Sequence, residues 1–189
     1  MKLDGKKVLM VIPHTQFRDE EFFEPKKILE DEGAKVVVAS TAVRACRGMK
    51  GGVTQSEITI ADAKADDYSA VVVCGGSSVP EFLWNDKKLQ ELVTAMSAAG
   101  KLVAAICLST VVLAKAKLLA GREATVYFLP QAIEALKEAG NKPEAHIYSS
   151  GKHGFGMKKQ GTTSDHWIDE FYYWLEAQGL TRPQIKQGQ

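Results

Sequence analysis

Cys107 stands at a junction where a cysteine side chain can become reactive. It follows an apolar run, Leu102 to Ile106, which is typical of a strand buried on both faces of a sheet. The segment after it, Thr110 to Leu119, is rich in alanine and leucine and favours a helix. Free N–H groups at the start of that helix stabilise a thiolate, so the position predicts a nucleophile. The alternative is an inert packing residue, which free cysteine commonly is.

Two further segments are predicted to lie beside Cys107. Strands alternate with helices along the chain, which predicts an α/β domain with a mainly parallel central sheet covered on both faces. In such sheets, ligands bind outside the carboxyl ends of the strands. The polar segment from His14 to Glu21, the pair Gly75-Gly76 and Cys107 each follow a predicted strand. We therefore expect them to line one crevice.

The glycine pair and the first helix each allow two interpretations. Gly75-Gly76 would let backbone N–H groups approach a ligand closely, although a simple tight turn uses the same residues. In the first helix, Pro25 has no N–H and leaves the carbonyl of Glu21 without its helical partner. The helix therefore begins near Pro25 or is kinked there, and Glu21 lies on its first turn. Gly33 is expected to end it.

Composition excludes several classes of protein. The 189 residues are 45% hydrophobic and 25% charged with a net charge of +1, which indicates neither nucleic acid nor an acidic membrane as a partner. No run approaches the roughly 18 apolar residues of a membrane span, and the N-terminus does not resemble a signal peptide. Three cysteines at irregular spacing fit a reduced cytoplasmic protein rather than a disulfide framework or a zinc site. No metal or cofactor is predicted.

The other predicted elements complete the α/β pattern. Asp86 is expected to cap a helix that Gly100 ends, and residues 42–53 are expected to form a surface loop or hairpin rather than a phosphate loop. The last helix, Ser164 to Gln178, carries aromatic residues around most of its girth. It should therefore be sandwiched in the domain or lie at a subunit interface. The remaining predicted strands and helices are Lys7–Ile12, Lys35–Ser40, Ile58–Ile60, Tyr68–Cys74, Glu123–Tyr127, Gln131–Ala139 and His146–Ser149.

Several motifs, in order along the chain, resemble the ThiJ/PfpI family of the DJ-one superfamily. They are EEFFEP in the first helix, VVVCGG before the Asp86 helix, and AAIC followed by LST and LLAGREAT. The resemblance covers roughly Lys7 to Gly140. It implies a flavodoxin-like three-layer sandwich with the class I glutamine-amidotransferase-like fold, in a homodimer. The whole chain, 1–189, would then be a single domain whose C-terminal segment, about 141–189, diverges from the family.

The resemblance also implies roles for individual residues. Cys107 would be the nucleophile at a strained elbow, and Glu21 would hydrogen-bond its sulfur. The backbone N–H groups of Gly76 and Leu108 would form the oxyanion hole. The remaining residues expected to line the site are Gly75, Cys74, His14 and Tyr127.

The sequence departs from the family pattern at positions that matter for catalysis. Relatives described as proteases carry a histidine directly after the cysteine, whereas Leu108 can neither accept nor donate a proton. Tyr127 stands where some relatives place a second histidine, and Cys74 replaces a common proline. The loop Gly151 to Gly161 replaces the usual Ser-Arg-Gly-Pro segment. Peptidase activity is therefore poorly supported.

Two functions from different classes are compatible with these residues. The first is a Cys107-dependent enzyme acting on a small electrophile such as a reactive carbonyl, by glyoxalase- or deglycase-like chemistry or by amidase-like hydrolysis. The second is a redox-responsive or chaperone-like protein of the stress response, whose Cys107 is oxidised by a small oxidant rather than turned over. A scaffold that has lost its chemistry is a third alternative.

Both functions make the same predictions about Cys107. Its backbone should adopt a disfavoured conformation, and Glu21 should lie within about 3.5 Å of its sulfur. Its thiol should ionise more readily than a free thiol and be alkylated ahead of Cys46 and Cys74. No disulfide is expected between Cys74 and Cys107, because side chains on adjacent parallel strands seldom point at each other.

Overall fold

The computed structural model describes residues 2–121, 129–141 and 159–177. The chain divides into two compact units, Met1–Pro143 and Glu144–Gln189. The predicted strands over 123–127 and 146–149 lie outside the described residues, and so does most of the predicted loop over 151–161. The predicted single domain stays a prediction. Among the described residues, no helix combines the length and the apolar character that crossing a membrane requires.

Strands and helices alternate through the first unit, as the sequence predicts. The strands are β1 (Lys7–Val11), β2 (Thr15–Phe17), β3 (Lys35–Ser40), β4 (Ala45–Gly48), β5 (Val53–Gln55), β6 (Ile58–Thr59), β7 (Ala70–Val73) and β8 (Leu102–Ala105). The helices are α1 (Asp19–Asp31), α2 (Val79–Phe82), α3 (Lys87–Ala98), α4 (Thr110–Lys115) and α5 (Pro130–Glu138), and the second unit contains α6 (Trp167–Ala177).

Five parallel strands form the central sheet of the described residues, in the order β6-β3-β1-β7-β8. Val73 at the end of β7 pairs with Ala105 at the end of β8. The chain segments that follow these two strands therefore leave the sheet side by side. The predicted hairpin is also present, because β4 and β5 pair antiparallel and β2 adds to them in a second, three-stranded sheet.

Alternate residues of the central strands supply two separate hydrophobic clusters, one on each face of the sheet. On β1, Leu9 and Val11 belong to one cluster, while Met10 belongs to the other. Residues of α3, α4 and α5 complete the first cluster, and Phe22 of α1 completes the second. The predicted three-layer arrangement, with helices on both sides of a parallel sheet, is confirmed.

The prediction that the Leu102 to Ile106 run is buried on both faces is wrong. Leu102 is 75% exposed and Ile106 is 45% exposed. The other face of β8 is covered, since Val103 and Ala105 pack against the larger cluster. The cause is position, because β8 is the terminal strand of the described sheet while α1 packs over β3.

Helix α4 ends at Lys115, four residues before the predicted end at Leu119. Lys117 adopts a left-handed backbone with φ 60, and its N–H donates to the Ala114 carbonyl at 2.8 Å. The Leu118 N–H donates to the Leu113 carbonyl at 3.0 Å, which completes a Schellman cap. Gly33, Gly100 and Gly140 end α1, α3 and α5 in the same way. Because a lysine replaces the glycine here, the sequence carries no signal for this helix end.

The remaining predicted helix boundaries are close to those observed. The Asp86 carboxylate accepts a hydrogen bond from the Leu89 N–H at 3.0 Å and caps α3, as predicted. In the second unit, a 3-10 turn, Thr163–His166, leads into α6. On α6, Phe171, Tyr172 and Tyr173 are exposed in the single chain. The homodimer that the sequence predicts stays a prediction.

Candidate active site

Cys107 lies on a strained elbow directly after β8. Its φ is 58, a left-handed conformation that costs a residue with a Cβ about 1–2 kcal/mol. The Ile106 N–H continues the sheet by donating to the Val73 carbonyl at 3.2 Å, and the Ser109 N–H donates back to the Ile106 carbonyl at 3.1 Å. These bonds turn the chain within three residues into α4. The predicted disfavoured backbone at Cys107 is confirmed.

Three groups from separate segments of the chain converge on the Cys107 sulfur. The Glu21 carboxyl group makes a side-chain hydrogen bond with it, and the backbone N–H groups of Leu108 and Gly76 also hydrogen-bond to it. Glu21 is the third residue of α1, Gly76 follows β7, and Leu108 is part of the elbow. The structure thus brings together the four residues to which the family resemblance gave roles in catalysis.

Gly75 allows Glu21 and Cys107 to approach each other. Its N–H donates to Glu21 Oε2 at 2.9 Å. A Cβ at this position would lie 2.4 Å from Glu21 Oε2, 2.7 Å from the Cys107 Cβ and 3.1 Å from the Ile106 carbonyl oxygen. Glycine is therefore required here for space, since any larger residue displaces the carboxyl group from the sulfur.

Gly76 is fixed by the backbone of β2. It forms an isolated antiparallel bridge with Phe17, and the Arg18 N–H donates to the Gly75 carbonyl at 3.0 Å. Its φ is 137, and a Cβ would lie 2.3 Å from the Gln16 carbonyl oxygen. Since both a positive φ and a backbone contact exclude a side chain, Gly76 holds its N–H in one orientation.

Cys74 satisfies the carbonyl that Pro25 leaves without a partner. Helix α1 begins at Asp19 and contains Pro25 in its interior, so the Glu21 carbonyl has no helical N–H to accept. The Cys74 thiol, which is fully buried, donates to that carbonyl at 3.4 Å. Burial and the nearby Glu21 carboxylate raise the pKa of Cys74 above that of a free thiol. Cys74 is therefore a hydrogen-bond donor at the base of the site rather than a second nucleophile.

Cys107 ionises less readily than a free thiol, contrary to the prediction from its position. Burial, followed by the charge of the adjacent Glu21 carboxylate, raises its pKa to about 11. Hydrogen bonds from the Leu108 and Gly76 amides lower the pKa but do not outweigh these two causes. The helix N-terminus predicts a lowered pKa, but burial of the thiol, which the sequence does not show, acts in the opposite direction and is the largest cause. At neutral pH the thiol therefore keeps its proton.

Two other residues were expected to line the site, and the structure describes His14 but not Tyr127. His14 is hydrogen-bonded through Nδ1 to Thr41 Oγ1 at 3.2 Å, and its ring packs edge-on against Phe82 with centroids 4.3 Å apart. His14 follows β1, as expected, and Thr41 and Phe82 are its side-chain partners. Tyr127 lies outside the described residues. All three cysteines are free thiols, and Cys107 is the one that is partly exposed.

Two buried side chains that were not predicted, those of Trp84 and Ser109, stabilise the elbow by hydrogen bonds to backbone carbonyl groups. Trp84 Nε1 donates to the Leu108 carbonyl at 2.8 Å, and the Gln90 side chain in turn holds the Trp84 carbonyl at 2.8 Å. Ser109 Oγ donates to the Cys74 carbonyl at 2.7 Å. Trp84 lies just after α2, far from the elbow in sequence, so no local pattern pointed to it. Ser109 lies two residues after the nucleophile, and that spacing was the available signal.

The profile of the DJ-1/PfpI family matches residues 6–177. The chain belongs to the DJ-1/PfpI family. The resemblance predicted from its motifs is therefore confirmed, and so is the flavodoxin-like fold. Among the described residues, no group of three histidine, cysteine, aspartate or glutamate side chains is placed to hold a metal ion.

Individual family members are similar to this chain over roughly two thirds to three quarters of its length. An uncharacterised protein of Methanocaldococcus jannaschii is 53% identical over 138 residues, which are 73% of this chain and 67% of that protein. The deglycase PfpI of Pyrococcus furiosus is 30% identical over 63% of this chain and 71% of its own length. The crystal structure of a ThiJ/PfpI domain protein from Brachyspira murdochii superposes with a TM-score of 0.68 at 29% identity, covering 78% of this chain and 83% of that one.

Proposed function

We propose that this protein is a cysteine-dependent enzyme of the deglycase type that acts on small reactive carbonyl compounds. The observation that carries the proposal is the convergence of one carboxyl group and two backbone N–H groups on the Cys107 sulfur. A carbonyl carbon attacked by that sulfur would place its oxygen beside the same two amides. The relative from Pyrococcus furiosus, itself named a deglycase, supports this class of reaction.

Glu21 supplies the base that Leu108 cannot provide. Because the pKa of Cys107 is raised to about 11, the attacking group at neutral pH is the thiol and its proton must leave during attack. The Glu21 carboxylate is hydrogen-bonded to that thiol and accepts the proton. A bond forms between Cys107 Sγ and the carbonyl carbon while the π electrons move to the oxygen. Glu21 then returns the proton to that oxygen, which gives a neutral hemithioacetal. For methylglyoxal, transfer of a proton from the former aldehyde carbon to the neighbouring ketone carbon turns this adduct into a thioester. Water then hydrolyses the thioester, which releases lactate and restores the Cys107 thiol.

Gly76 and Leu108 stabilise the oxyanion that precedes this return of the proton. Two fixed N–H donors around a developing negative charge are the arrangement by which acyl- and carbonyl-transfer enzymes lower their barriers. Gly76 is fixed by β2, and Leu108 by the Trp84 indole. An aldehyde adduct needs only the proton that Glu21 takes from the thiol, whereas Leu108 replaces the histidine that follows the cysteine in relatives described as proteases. We therefore favour an aldehyde over a peptide as substrate.

The proposal is tested with methylglyoxal as substrate. The purified chain should consume methylglyoxal with many turnovers, and Cys107→Ser should abolish turnover because an alcohol is a far weaker nucleophile. Glu21→Gln should slow it by about 10²–10⁴-fold, the usual contribution of a general base. Cys46→Ser is the matched control, because Cys46 is buried in the hairpin strand β4. Turnover that survives Cys107→Ser would contradict the proposal.

A redox-responsive function is the second candidate, and one observation favours it. The Gly76 and Leu108 amides donate towards the sulfur itself, and the Glu21 carboxyl group lies beside it, where the oxygens of a sulfinate would form. In that case methylglyoxal is not turned over, and low peroxide converts Cys107 to the sulfinate without further oxidation. Intact-mass measurement after peroxide treatment, made beside the turnover assay, separates the two functions.

A further inference from the structure

Ser109 donates its hydroxyl hydrogen to the site and not to its own helix. The residue is fully buried and directly precedes α4, a position where serine commonly caps the helix by accepting a backbone N–H. It makes no such cap. Its Oγ instead donates to the Cys74 carbonyl at 2.7 Å, across 35 residues of sequence. The one hydrogen of this hydroxyl therefore bonds a carbonyl at the end of the neighbouring strand and not a group of its own helix.

The carbonyl that Ser109 holds belongs to the peptide that binds Glu21. The Cys74 carbonyl and the Gly75 N–H are the two ends of one planar trans peptide, and they point in opposite directions. At one end the peptide accepts from Ser109 Oγ, and at the other its N–H donates to Glu21 Oε2 at 2.9 Å. Fixing the carbonyl fixes the direction of the N–H. Hydrogen bonds at both ends of one amide also polarise it and strengthen each other.

We propose that Ser109 is a positioning residue for Glu21, acting through the Cys74–Gly75 peptide. The serine, the peptide and the carboxyl group form a relay from the elbow, across β7, to α1. The relay therefore begins and ends at the same elbow, because Glu21 is hydrogen-bonded to Cys107. The nucleophile segment thus helps to orient its own acid–base partner. The inference rests on the Cys107–Glu21 pair of the proposed function.

Ser40 provides a matched control for the loss of a buried serine hydroxyl. Like Ser109, it is fully buried, and its Oγ donates to a backbone carbonyl, that of Ile12, at 2.8 Å. The carbonyl that it holds belongs to the Ile12–Pro13 peptide, which has no N–H to donate to Glu21. Ser109→Ala and Ser40→Ala should therefore lower the melting temperature similarly, while only Ser109→Ala changes Cys107.

A double-mutant cycle on the full chain tests the relay. The measurement is the rate of Cys107 alkylation by iodoacetamide at pH 9, which follows the thiolate fraction and needs no substrate turnover. Release of Glu21 from the sulfur should raise the rate, so Ser109→Ala should increase it about two- to fivefold in the wild-type background. In a Glu21→Gln background the same substitution should change the rate by less than about 1.5-fold, because the carboxyl group that the relay positions is absent. Ser109→Thr keeps the hydroxyl and should keep the wild-type rate.

The outcomes separate this proposal from the proposed function. An equal change in both backgrounds, no change in the wild type, or the same increase from Ser40→Ala would overturn the relay. A chain without methylglyoxal turnover that still shows the cycle would refute the enzyme and retain the relay. Should Ser109→Ala fail to fold, NMR of the wild type decides. Titration of Glu21 should shift both the Gly75 amide and the Ser109 hydroxyl resonances, and an unresponsive hydroxyl would overturn the relay.

Discussion

The ends of β7 and β8 place a cysteine each at the same edge of the sheet, and the two cysteines have opposite properties. Cys74 continues from β7 and is fully buried, with its thiol donating to a carbonyl. Cys107 follows β8 with φ 58 and is partly exposed, with its sulfur accepting from two amides. The cysteine after β7 is thus a buried hydrogen-bond donor, whereas the cysteine after β8 is a partly exposed hydrogen-bond acceptor.

The difference between the two cysteines comes from their backbones and not from their ease of ionisation. Burial and the Glu21 carboxylate raise the pKa of both thiols. Only the left-handed turn at Cys107 directs its sulfur towards the N–H groups of Leu108 and Gly76. Cys107 should therefore be alkylated ahead of Cys46 and Cys74 because it is accessible, although it is not a low-pKa thiol. In the proposed mechanism, its activation depends on transfer of the proton to Glu21.

Among the substitutions that test the role of Cys107 against that of Cys74, Gly75→Ala should have the largest effect, and the effect should be on turnover. The added methyl group would lie 2.4 Å from Glu21 Oε2 and 2.7 Å from the Cys107 Cβ, so the carboxyl group and the elbow must move apart. Methylglyoxal turnover should fall about 10²-fold or more, as it does on loss of a general base, while the protein stays folded. Steady-state kinetics and circular dichroism measure the two properties.

Gly100→Ala is the control for the effect of a methyl group on a glycine. Gly100 has φ 68 and open space around its Cα, so alanine there adds backbone strain without a collision. It should destabilise the fold by about 1–2 kcal/mol and leave turnover unchanged. Wild-type turnover in Gly75→Ala would mean that Glu21 need not contact Cys107.

A smaller effect, mainly on stability, is expected from Cys74→Ala. The substitution removes the hydrogen bond from the Cys74 thiol to the Glu21 carbonyl, and the net contribution of one such bond is about 0.5–1.5 kcal/mol. Adding Pro25→Ala should recover part of the loss, because alanine restores the N–H that the carbonyl lacks. Chemical denaturation of the single and double variants measures the recovery.

Cys46→Ala serves as the comparison for this rescue, since Cys46 is equally buried but its thiol faces the Arg44 carbonyl. Pro25→Ala should not rescue it. The same free energy of recovery in both backgrounds would show that Pro25→Ala stabilises α1 in general and that Cys74 has no special relation to the Glu21 carbonyl.

The elements of the fold and the main site residues were predictable because their signals are local. Short apolar runs located the strands, and glycine after α1, α3 and α5 marked three helix ends. That the Glu21 carbonyl lacks its usual helical partner followed from Pro25 alone. The end of α4 was not predictable, because Lys117 adopts a conformation that its residue type disfavours. The exposed face of β8 depends on which strand forms the edge of the sheet.

Properties that depend on contacts distant in sequence were not predictable. The pKa of Cys107 is set largely by burial and by a carboxylate 86 residues earlier in the chain, and the sequence showed only the helix start that acts in the other direction. The indole of Trp84 and the hydroxyl of Ser109 support the elbow through bonds to carbonyl groups that no motif specifies. Local patterns thus indicated the reacting groups, whereas their electrostatics required the tertiary structure.

The pH dependence of Cys107 alkylation, in the wild type and in Glu21→Gln, tests the central claim most directly. Burial and the Glu21 charge disfavour the thiolate, so the wild-type rate should rise with a midpoint near the pKa of about 11. Removing the negative charge should lower the midpoint towards that of a free thiol, about 8.5. A wild-type midpoint below that of a free thiol, or one that Glu21→Gln leaves in place, would contradict the account in which Glu21 controls the proton of Cys107.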